Sequence, residues 1–237
     1  MKRVLIANRG EIALRAIRAC RKNRLETVAV YSSADASSPH VWAADRAVCI
    51  GPPPPSLSYL DAAILIETAA QTGCDAVYPG YGFLAERADF AEACAGAGLI
   101  FIGPSPEAIA SMGDKAEARK RVAALRIPVV PGSSDAFTSV DAAATAANAL
   151  GFPLLLKASA GGGGRGMRVA SDVTAFRALF EQASAEAKSA FGNGEIYLER
   201  FFPRVRHIEV QVFGDTQGNY RHLWERDCSV QRRHQKV

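Results

Sequence analysis

The sequence predicts an α/β protein whose N-terminal half is a parallel sheet with helices on both faces. Up to about Gly113, short apolar strands alternate with amphipathic helices of ten or more residues, which is typical of such sheets. After Gly113 the pattern changes, and two short strands flank a run of glycines. The 237 residues suffice for one large domain or two small ones. We therefore expect two domains, residues 1–113 and 114–237.

In the first half, short continuous apolar runs indicate strands, and apolar residues with a period of 3.6 indicate helices. Strands are predicted at residues 3–7, 27–32, 75–79 and 99–103, and helices at about 11–22, 59–72 and 86–97; residues 51–58 form a proline-rich loop. Ligands of parallel sheets bind at the carboxyl ends of the strands. That rule places Asn8, Arg9 and Gly10, together with the tripeptide 80–82, on the binding side. Ordinary strand-to-helix turns are the alternative interpretation.

In the second half, helices and strands no longer alternate regularly. Helices are predicted at 111–125, 140–150 and 172–190, and strands at 153–157, 167–170 and 195–199. Residues 207–215 alternate strictly between apolar and polar side chains, which predicts a half-buried antiparallel strand. The segment Thr-Gln-Gly-Asn turns this strand back into a partner that begins at Tyr220.

The composition is that of an ordinary globular protein, with 49% hydrophobic and 22% charged residues. No apolar stretch has the length of a membrane span, and the first residues do not resemble a signal peptide. The five cysteines form no C-x-x-C pair and are odd in number, so we expect neither a disulfide framework nor a zinc site, and a cytoplasmic location. Residues 200–237 carry eight Lys or Arg and four Asp or Glu, which accounts for the net charge of +4. This local excess favours a small anionic ligand over a nucleic acid.

A run of four glycines in "AGGGGRGMRV", residues 160–169, requires an explanation because each ordered glycine costs backbone entropy. A dinucleotide fingerprint would open a helix, whereas this run leads into a strand. A Walker loop lacks its Lys-Ser/Thr here, and a kinase loop would have valine in place of Arg168. What remains is a hairpin whose backbone N–H groups close over a polyphosphate, with Lys157 adding a cationic contact of about 1.5–3 kcal/mol. A flexible surface hairpin, or an RGG-like patch, is the alternative.

The stretch "ERDCSVQRRHQKV", residues 225–237, is dense in basic and amide side chains. By itself it is also compatible with a solvated basic edge. Together with other segments it resembles the biotin carboxylase family. The matching segments are "RVLIANRGEIALRAIRACR", "YPGYGFLAE", "FIGPSPEAI", "MGDKAEAR", "KASAGGGGRGMRV", "RHIEVQVFGD" and "ERDCSVQRRHQKV". Tyr78 stands where the family usually has histidine and Ala160 where it usually has glycine, and neither change removes a charged contact.

The resemblance implies a fold and a reaction. The fold is an α/β arrangement of an N-terminal Rossmann-like parallel sheet followed by an ATP-grasp domain, incomplete here, with a glycine-rich lid at about residues 132–203. The reaction uses ATP to convert bicarbonate to carboxyphosphate, and then carboxylates biotin on a carrier protein.

The resemblance also implies roles for single residues. Lys236 would be catalytic, between the γ-phosphate and bicarbonate. The other implied contacts are all to ATP: Lys115 and Lys157 to phosphates, Gly163 and Gly164 over the phosphates, Glu199, Arg200 and Phe202 at adenine, and His207, Gln231 and His234 along the ribose and phosphates. For His207, a structural role at the start of its strand is the alternative.

The resemblance further implies that the Mg²⁺ ligands and the general base lie downstream of Val237, so the chain is expected to be an inactive fragment by itself. Expected partners are a biotin carboxyl carrier protein or domain, a carboxyltransferase component and further copies of the chain, with no nucleic acid and no membrane. A mitochondrial matrix location would apply to a eukaryotic protein, but no transit peptide is apparent. Two other functions stay open: another ATP-grasp ligase, such as half of a carbamoyl-phosphate synthetase, and a non-catalytic module that binds nucleotides or nucleic acid.

Overall fold

The computed structural model describes residues 1–113, 115–159, 167–232 and 235–236. For a few of these, residues 115–117, 191, 232 and 235–236, it describes only the backbone. The chain forms two compact units, Met1–Ala118 and Arg119–Val237. Among the described residues, no helix combines the length and the apolar character needed to span a bilayer.

The first unit is built on a five-stranded sheet in the order β3-β2-β1-β4-β5, with every neighbouring pair parallel. This confirms the predicted parallel sheet. Its strands are β1 (Arg3–Ile6), β2 (Glu26–Ser32), β3 (Arg46–Gly51), β4 (Ala76–Tyr78) and β5 (Ile100–Phe101). Its helices are α1 (Gly10–Lys22), α2 (Pro39–Ala43), α3 (Ala62–Gln71), α4 (Ala88–Gly96) and α5 (Pro106–Gly113), and α6 (Lys115–Ala124) follows.

The alternation of side chains along β1 explains why its sequence is apolar throughout. Val4 and Ile6 belong to one buried cluster, which includes Ala13 and Ile17 of α1. Leu5 belongs to a second cluster on the opposite face of the sheet. A parallel strand that is covered on both faces needs apolar residues at every position.

Several elements of the first unit differ from the prediction. Strand β3, an edge strand of six residues, and helix α2, of five residues, were not predicted. Helix α3 begins later than predicted, since the Asp61 carboxylate accepts a hydrogen bond from the Ile64 N–H and caps the helix there. The helix predicted at 111–125 agrees with the helical residues of α5 and α6 on either side of residue 114, which lies outside the described residues.

The second unit contains a three-stranded antiparallel sheet in the order β7-β6-β8. Its strands are β6 (Leu154–Ala158), β7 (Arg168–Ala170) and β8 (Ile196–Arg200), and its long helices are α7 (Val140–Leu150) and α8 (Val173–Phe191). These strands confirm the prediction that two short strands flank the glycine run. Alternate β6 residues, Leu154, Leu156 and Ala158, are buried in a core shared with α7 and α8. The opposite face of β6 carries Leu155 and Lys157.

The remaining strands form two separate ribbons. Strands β9 (Ile208–Gly214) and β10 (Tyr220–Asp227) pair antiparallel, and β11 (Gln231–Arg232) pairs with β12 (Gln235–Lys236). The prediction that residues 207–215 are half-buried is wrong for this structure, because Val210 is 52% exposed. A two-stranded ribbon offers its apolar face no cover beyond the partner strand. The apolar side chains near Val210 and Leu223 are therefore exposed.

Candidate functional site

An ion pair lies on the polar face of the three-stranded sheet. In the β6–β8 register Lys157 is opposite Tyr197, and Leu155 is opposite Glu199. Because side chains alternate along a strand, all four lie on the face opposite the α7–α8 core. The Lys157 Nζ forms a salt bridge with Glu199 Oε2. The structure thus joins two of the residues that the resemblance assigned to ATP, the first for phosphate and the second for adenine.

A third charged residue, Arg119, belongs to this group, and the sequence analysis assigned it no role. The Arg119 Nη1, from α6, lies 3.9 Å from Glu199 Oε1. The side chains of Arg119 and Glu199 are each only 19% exposed. The Arg119 guanidinium also lies 5.6 Å from the centre of the Tyr197 ring, and its Nη2 donates to the Val130 carbonyl. We call Lys157, Glu199 and Arg119 the ion triad; it has two cations and one anion.

The segment before α7 runs along the outer edge of β8. Ser133 N donates to the Leu198 carbonyl at 2.8 Å, and Ser133 Oγ accepts from Leu198 N at 3.2 Å. Gly132 pairs with Glu199 in an antiparallel bridge. The Tyr197 hydroxyl is buried here and has no hydrogen-bond partner among the described residues. Burial raises the pKa of Tyr197, so this hydroxyl is neutral at physiological pH.

The other two residues predicted to contact adenine lie at the end of β8. The Arg200 Nη1 donates to the Leu150 carbonyl at 3.0 Å, at the end of α7. The Arg200 side chain therefore lies on the opposite face of β8 from Glu199. Phe202 follows the strand and is about half exposed. The adenine contacts of both residues stay predictions.

His207 and Gln231, which were predicted to line the ribose and phosphates, contact each other. The Gln231 Nε2 lies 2.9 Å from the His207 Nδ1 and also donates to the Cys228 carbonyl at 3.2 Å. The His207 N–H donates to Ser229 Oγ at 2.9 Å, and the Ser229 hydroxyl donates to the Asp227 carboxylate at 2.6 Å. Hydrogen bonds from Ser229 lower the pKa of Asp227 to about 2. His207 thus has the strand-anchoring contacts of its alternative role as well as a partner from the predicted site.

Five further predicted site residues have no side chain in the described part of the molecule. Gly163, Gly164 and His234 lie outside the described residues, and of Lys115 and Lys236 only the backbone is described. Lys115 begins α6, and Lys236 pairs with Gln231. Among the described residues, no group of three or more His, Cys, Asp or Glu side chains is arranged to hold a metal ion.

In the first unit, the two predicted binding-side loops meet at a buried asparagine. The Asn8 Nδ2 donates to the carbonyls of Pro79 at 2.7 Å and Tyr81 at 2.9 Å, and its Oδ1 accepts from Arg9 N at 2.8 Å. A Cβ on Gly80 would lie 2.8 Å from Asn8 Nδ2, and the φ of Gly80 is +70°. This position therefore requires glycine. The loops lie at the carboxyl ends of β1 and β4, as predicted, while their role in binding stays a prediction.

Comparison with known protein families divides the chain into two parts that are similar to the two compact units. Residues 1–109 match the biotin carboxylase N-terminal domain. Residues 114–237 match the ATP-binding domain of the carbamoyl-phosphate synthase L chain.

Individual relatives match over the whole chain. It is 51% identical to a biotin carboxylase of Halalkalibacterium halodurans, covering 100% of the chain and 52% of the relative. It is also 51% identical to human mitochondrial pyruvate carboxylase, of which it covers 20%. The chain therefore spans between about a fifth and about half of these relatives.

Solved structures also match over the whole chain. A biotin carboxylase from Campylobacter jejuni, in complex with β,γ-ATP, matches with a TM-score of 0.94 and 47% identity, over 100% of this chain and 53% of that one. The biotin carboxylase domain dimer of a Hydrogenobacter thermophilus 2-oxoglutarate carboxylase, in complex with MgADP, ADP and bicarbonate, matches with a TM-score of 0.93 and 46% identity, over 100% and 52%. These neighbours confirm the predicted fold class, a Rossmann-like sheet followed by ATP-grasp structure. The chain belongs to the biotin carboxylase family.

Proposed function

We propose that the protein uses ATP and bicarbonate to carboxylate biotin on a carrier protein or domain, through carboxyphosphate. Its membership of the family supports the reaction. The observation within the structure that carries the proposal is the ion triad, which places a net positive charge on the polar face of β6 and β8. Lys157 is on the strand that leads directly into the glycine run, where a polyphosphate would need cationic contacts.

The ion triad fits a phosphate group in charge and in accessibility. The Lys157 side chain is partly exposed, so its ammonium is accessible to an anion. Phosphoryl transfer depends chiefly on positioning and on charge neutralisation, and fixed cations supply both. In this proposal Lys157 holds ATP phosphates. The remaining implied residues keep the roles given above: Lys115, Gly163, Gly164, Glu199, Arg200, Phe202, His207, Gln231 and His234 for ATP, and Lys236 for the transferred group.

Magnesium is part of the proposed reaction, since Mg²⁺ neutralises the phosphates of a nucleotide. The described residues show no cluster of carboxylates that fits a metal ion, so we assign no magnesium ligand to them. The further proposed partners are a biotin carrier, a carboxyltransferase component and a second copy of the chain. The dimer of the Hydrogenobacter domain supports the last of these. A cytoplasmic location completes the proposal.

A second candidate function follows from the family model of the second half, which bears the name of carbamoyl-phosphate synthase. That enzyme would share an ATP-binding domain with this chain. The match of residues 1–109 to a biotin carboxylase domain favours biotin as the acceptor. The two functions differ in whether biotin stimulates ATP hydrolysis.

The test measures steady-state ADP release by the protein at its full natural length, with Mg²⁺ and with bicarbonate, biotin or both. We expect bicarbonate and free biotin together to increase the rate. A rate that is indifferent to biotin would contradict biotin as the acceptor.

Substitution of Lys157 tests whether the ion triad contributes to ATP binding. Lys157→Met should raise the Kd for ATP at least tenfold, because a contact to a charged group contributes about 1.5–3 kcal/mol. The matched control is Lys120→Met, which removes an exposed lysine that pairs with Asp135 at 3.4 Å. An exposed pair of this kind contributes little, so the control should bind ATP normally. Equal effects of both substitutions would show that Lys157 has no specific role.

A further inference from the structure

Glu199 shares its carboxylate between two cations, with one oxygen towards each. Oε2 pairs with the Lys157 ammonium, and Oε1 lies 3.9 Å from Arg119 Nη1. We propose that Arg119 is a positioning residue that frees Lys157 for the nucleotide: it retains Glu199 when the Lys157 ammonium moves from the carboxylate to a phosphate. This inference rests on the proposed function, because it describes how the ATP site becomes available.

The Lys157 ammonium is already paired with the Glu199 carboxylate. An arriving phosphate must therefore compete with a carboxylate of the same chain. If Glu199 had no other cation, release of Lys157 would leave a largely buried carboxylate unpaired, which is strongly unfavourable.

Arg119 is held in place independently of Lys157. Its Nη2 donates to the Val130 carbonyl, and its guanidinium lies against the Tyr197 ring. Planar guanidinium groups suit such combined contacts with a carbonyl, a ring and a carboxylate better than an ammonium does. Arg119 therefore stays beside Glu199 when Lys157 departs.

Arg119 also sets the net charge of the ion triad. With both cations the ion triad carries +1, and an incoming phosphate meets a net attraction. Without Arg119 the remaining Lys157–Glu199 pair is neutral, and the phosphate gains no net attraction from it. The same count predicts that removing the charge of Glu199 compensates for removing the charge of Arg119, because Lys157 is then unpaired.

The experiment uses the full-length protein and four forms of it: wild type, Arg119→Gln, Glu199→Gln and the double variant. Titration calorimetry measures the Kd for ADP and for inorganic tripolyphosphate, which has no adenine and so reports the phosphate contacts alone. We expect Arg119→Gln to weaken tripolyphosphate binding about tenfold, which corresponds to about 1.4 kcal/mol. We expect Glu199→Gln to bind tripolyphosphate at least as tightly as wild type does, and the double variant to return to within about threefold of the wild-type affinity for tripolyphosphate.

Rescue by Glu199→Gln separates positioning from a merely structural role. If Arg119 served only to pack α6, the double variant would bind as weakly as Arg119→Gln, and the inference would be wrong. Thermal unfolding of each variant shows whether packing is lost. Lys157→Met provides a further check: in that background Arg119→Gln should weaken binding less than it does in the wild type, because no Lys157 ammonium is left to be freed.

The failure of the inference and the failure of the proposed function are distinguishable. Normal binding by wild type without rescue in the double variant overturns the inference alone. Absence of ADP and tripolyphosphate binding by wild type overturns both. Lys120→Gln is the charge control, since it removes an exposed lysine that is not part of the ion triad.

Discussion

Gly132→Ala tests how closely the segment before α7 is packed against the ion triad. A Cβ at this position would lie 2.6 Å from the Leu198 carbonyl oxygen, 2.8 Å from the Tyr197 hydroxyl and 3.2 Å from the Glu199 Cγ. The backbone φ of Gly132 lies outside the left-handed region, so the alanine meets a steric clash and no backbone strain. The nearest atom belongs to a backbone held in a sheet, and it cannot move away as the end of a flexible side chain would.

The magnitude follows from the cost of overpacking. Forcing an additional methyl group into a packed site costs about 1–3 kcal/mol. For a unit of roughly this size, each kcal/mol lowers the midpoint of thermal unfolding by about 4 °C, so the second unit should melt roughly 4–12 °C lower. Because the added methyl group displaces β8 at Glu199, the affinity for ATP should fall as well.

Differential scanning calorimetry on the full-length protein measures the shift, with the transition of the second unit assigned by adding ATP. The control is Gly96→Ala, near the end of α4, where a Cβ would meet nothing within 4 Å. Alanine is favoured over glycine in a helix, so this control should be neutral or slightly stabilising. An unchanged melting temperature and an unchanged ATP affinity in Gly132→Ala would refute the packing argument.

Two further predictions concern the first unit. Asn8→Ala should lower the free energy of unfolding of this unit by about 2–3 kcal/mol, because two carbonyls lose a buried hydrogen-bond donor. The control, Asn23→Ala, removes a hydrogen bond at an exposed helix end and should lower this free energy by less than half as much. Denaturant titration of both variants measures the difference. His40 is buried, its Nε2 lies 3.2 Å from the Val30 carbonyl, its Nδ1 has no partner among the described residues, and burial lowers its pKa. The unfolded chain therefore binds a proton that the folded chain does not, and the stability contribution present above about pH 6.5 is lost as the pH falls. Urea titrations at about pH 7.5 and about pH 5.5 should show this loss, and an equal pH dependence in His40→Gln would contradict it.

The parallel sheet of the first unit was predictable because its signal is local. A strand such as β1, covered on both faces, is apolar at every position, and α1 repeats its apolar residues with the period of a helix. Strand β3 was missed although its residues 47–50 form a continuous apolar run, because so short a run does not by itself distinguish a strand from another buried segment.

The prediction for residues 207–215 shows the limit of such patterns. Strict alternation correctly indicated a strand and its antiparallel partner. Alternation indicates which side chains share a face of the strand, but it does not indicate what packs against that face. In the structure Val210 is exposed.

By itself, the sequence determined the family, the order of most strands and helices and the identity of candidate residues such as Lys157 and Glu199. Those conclusions depend on residue types and on short spacings along the chain. The tertiary structure alone decided that Lys157 is paired with Glu199, that Arg119 joins them, and that Asn8 connects two loops. These contacts unite residues tens of positions apart, whose register across strands is fixed by the packing of the whole core and not by any neighbouring residue.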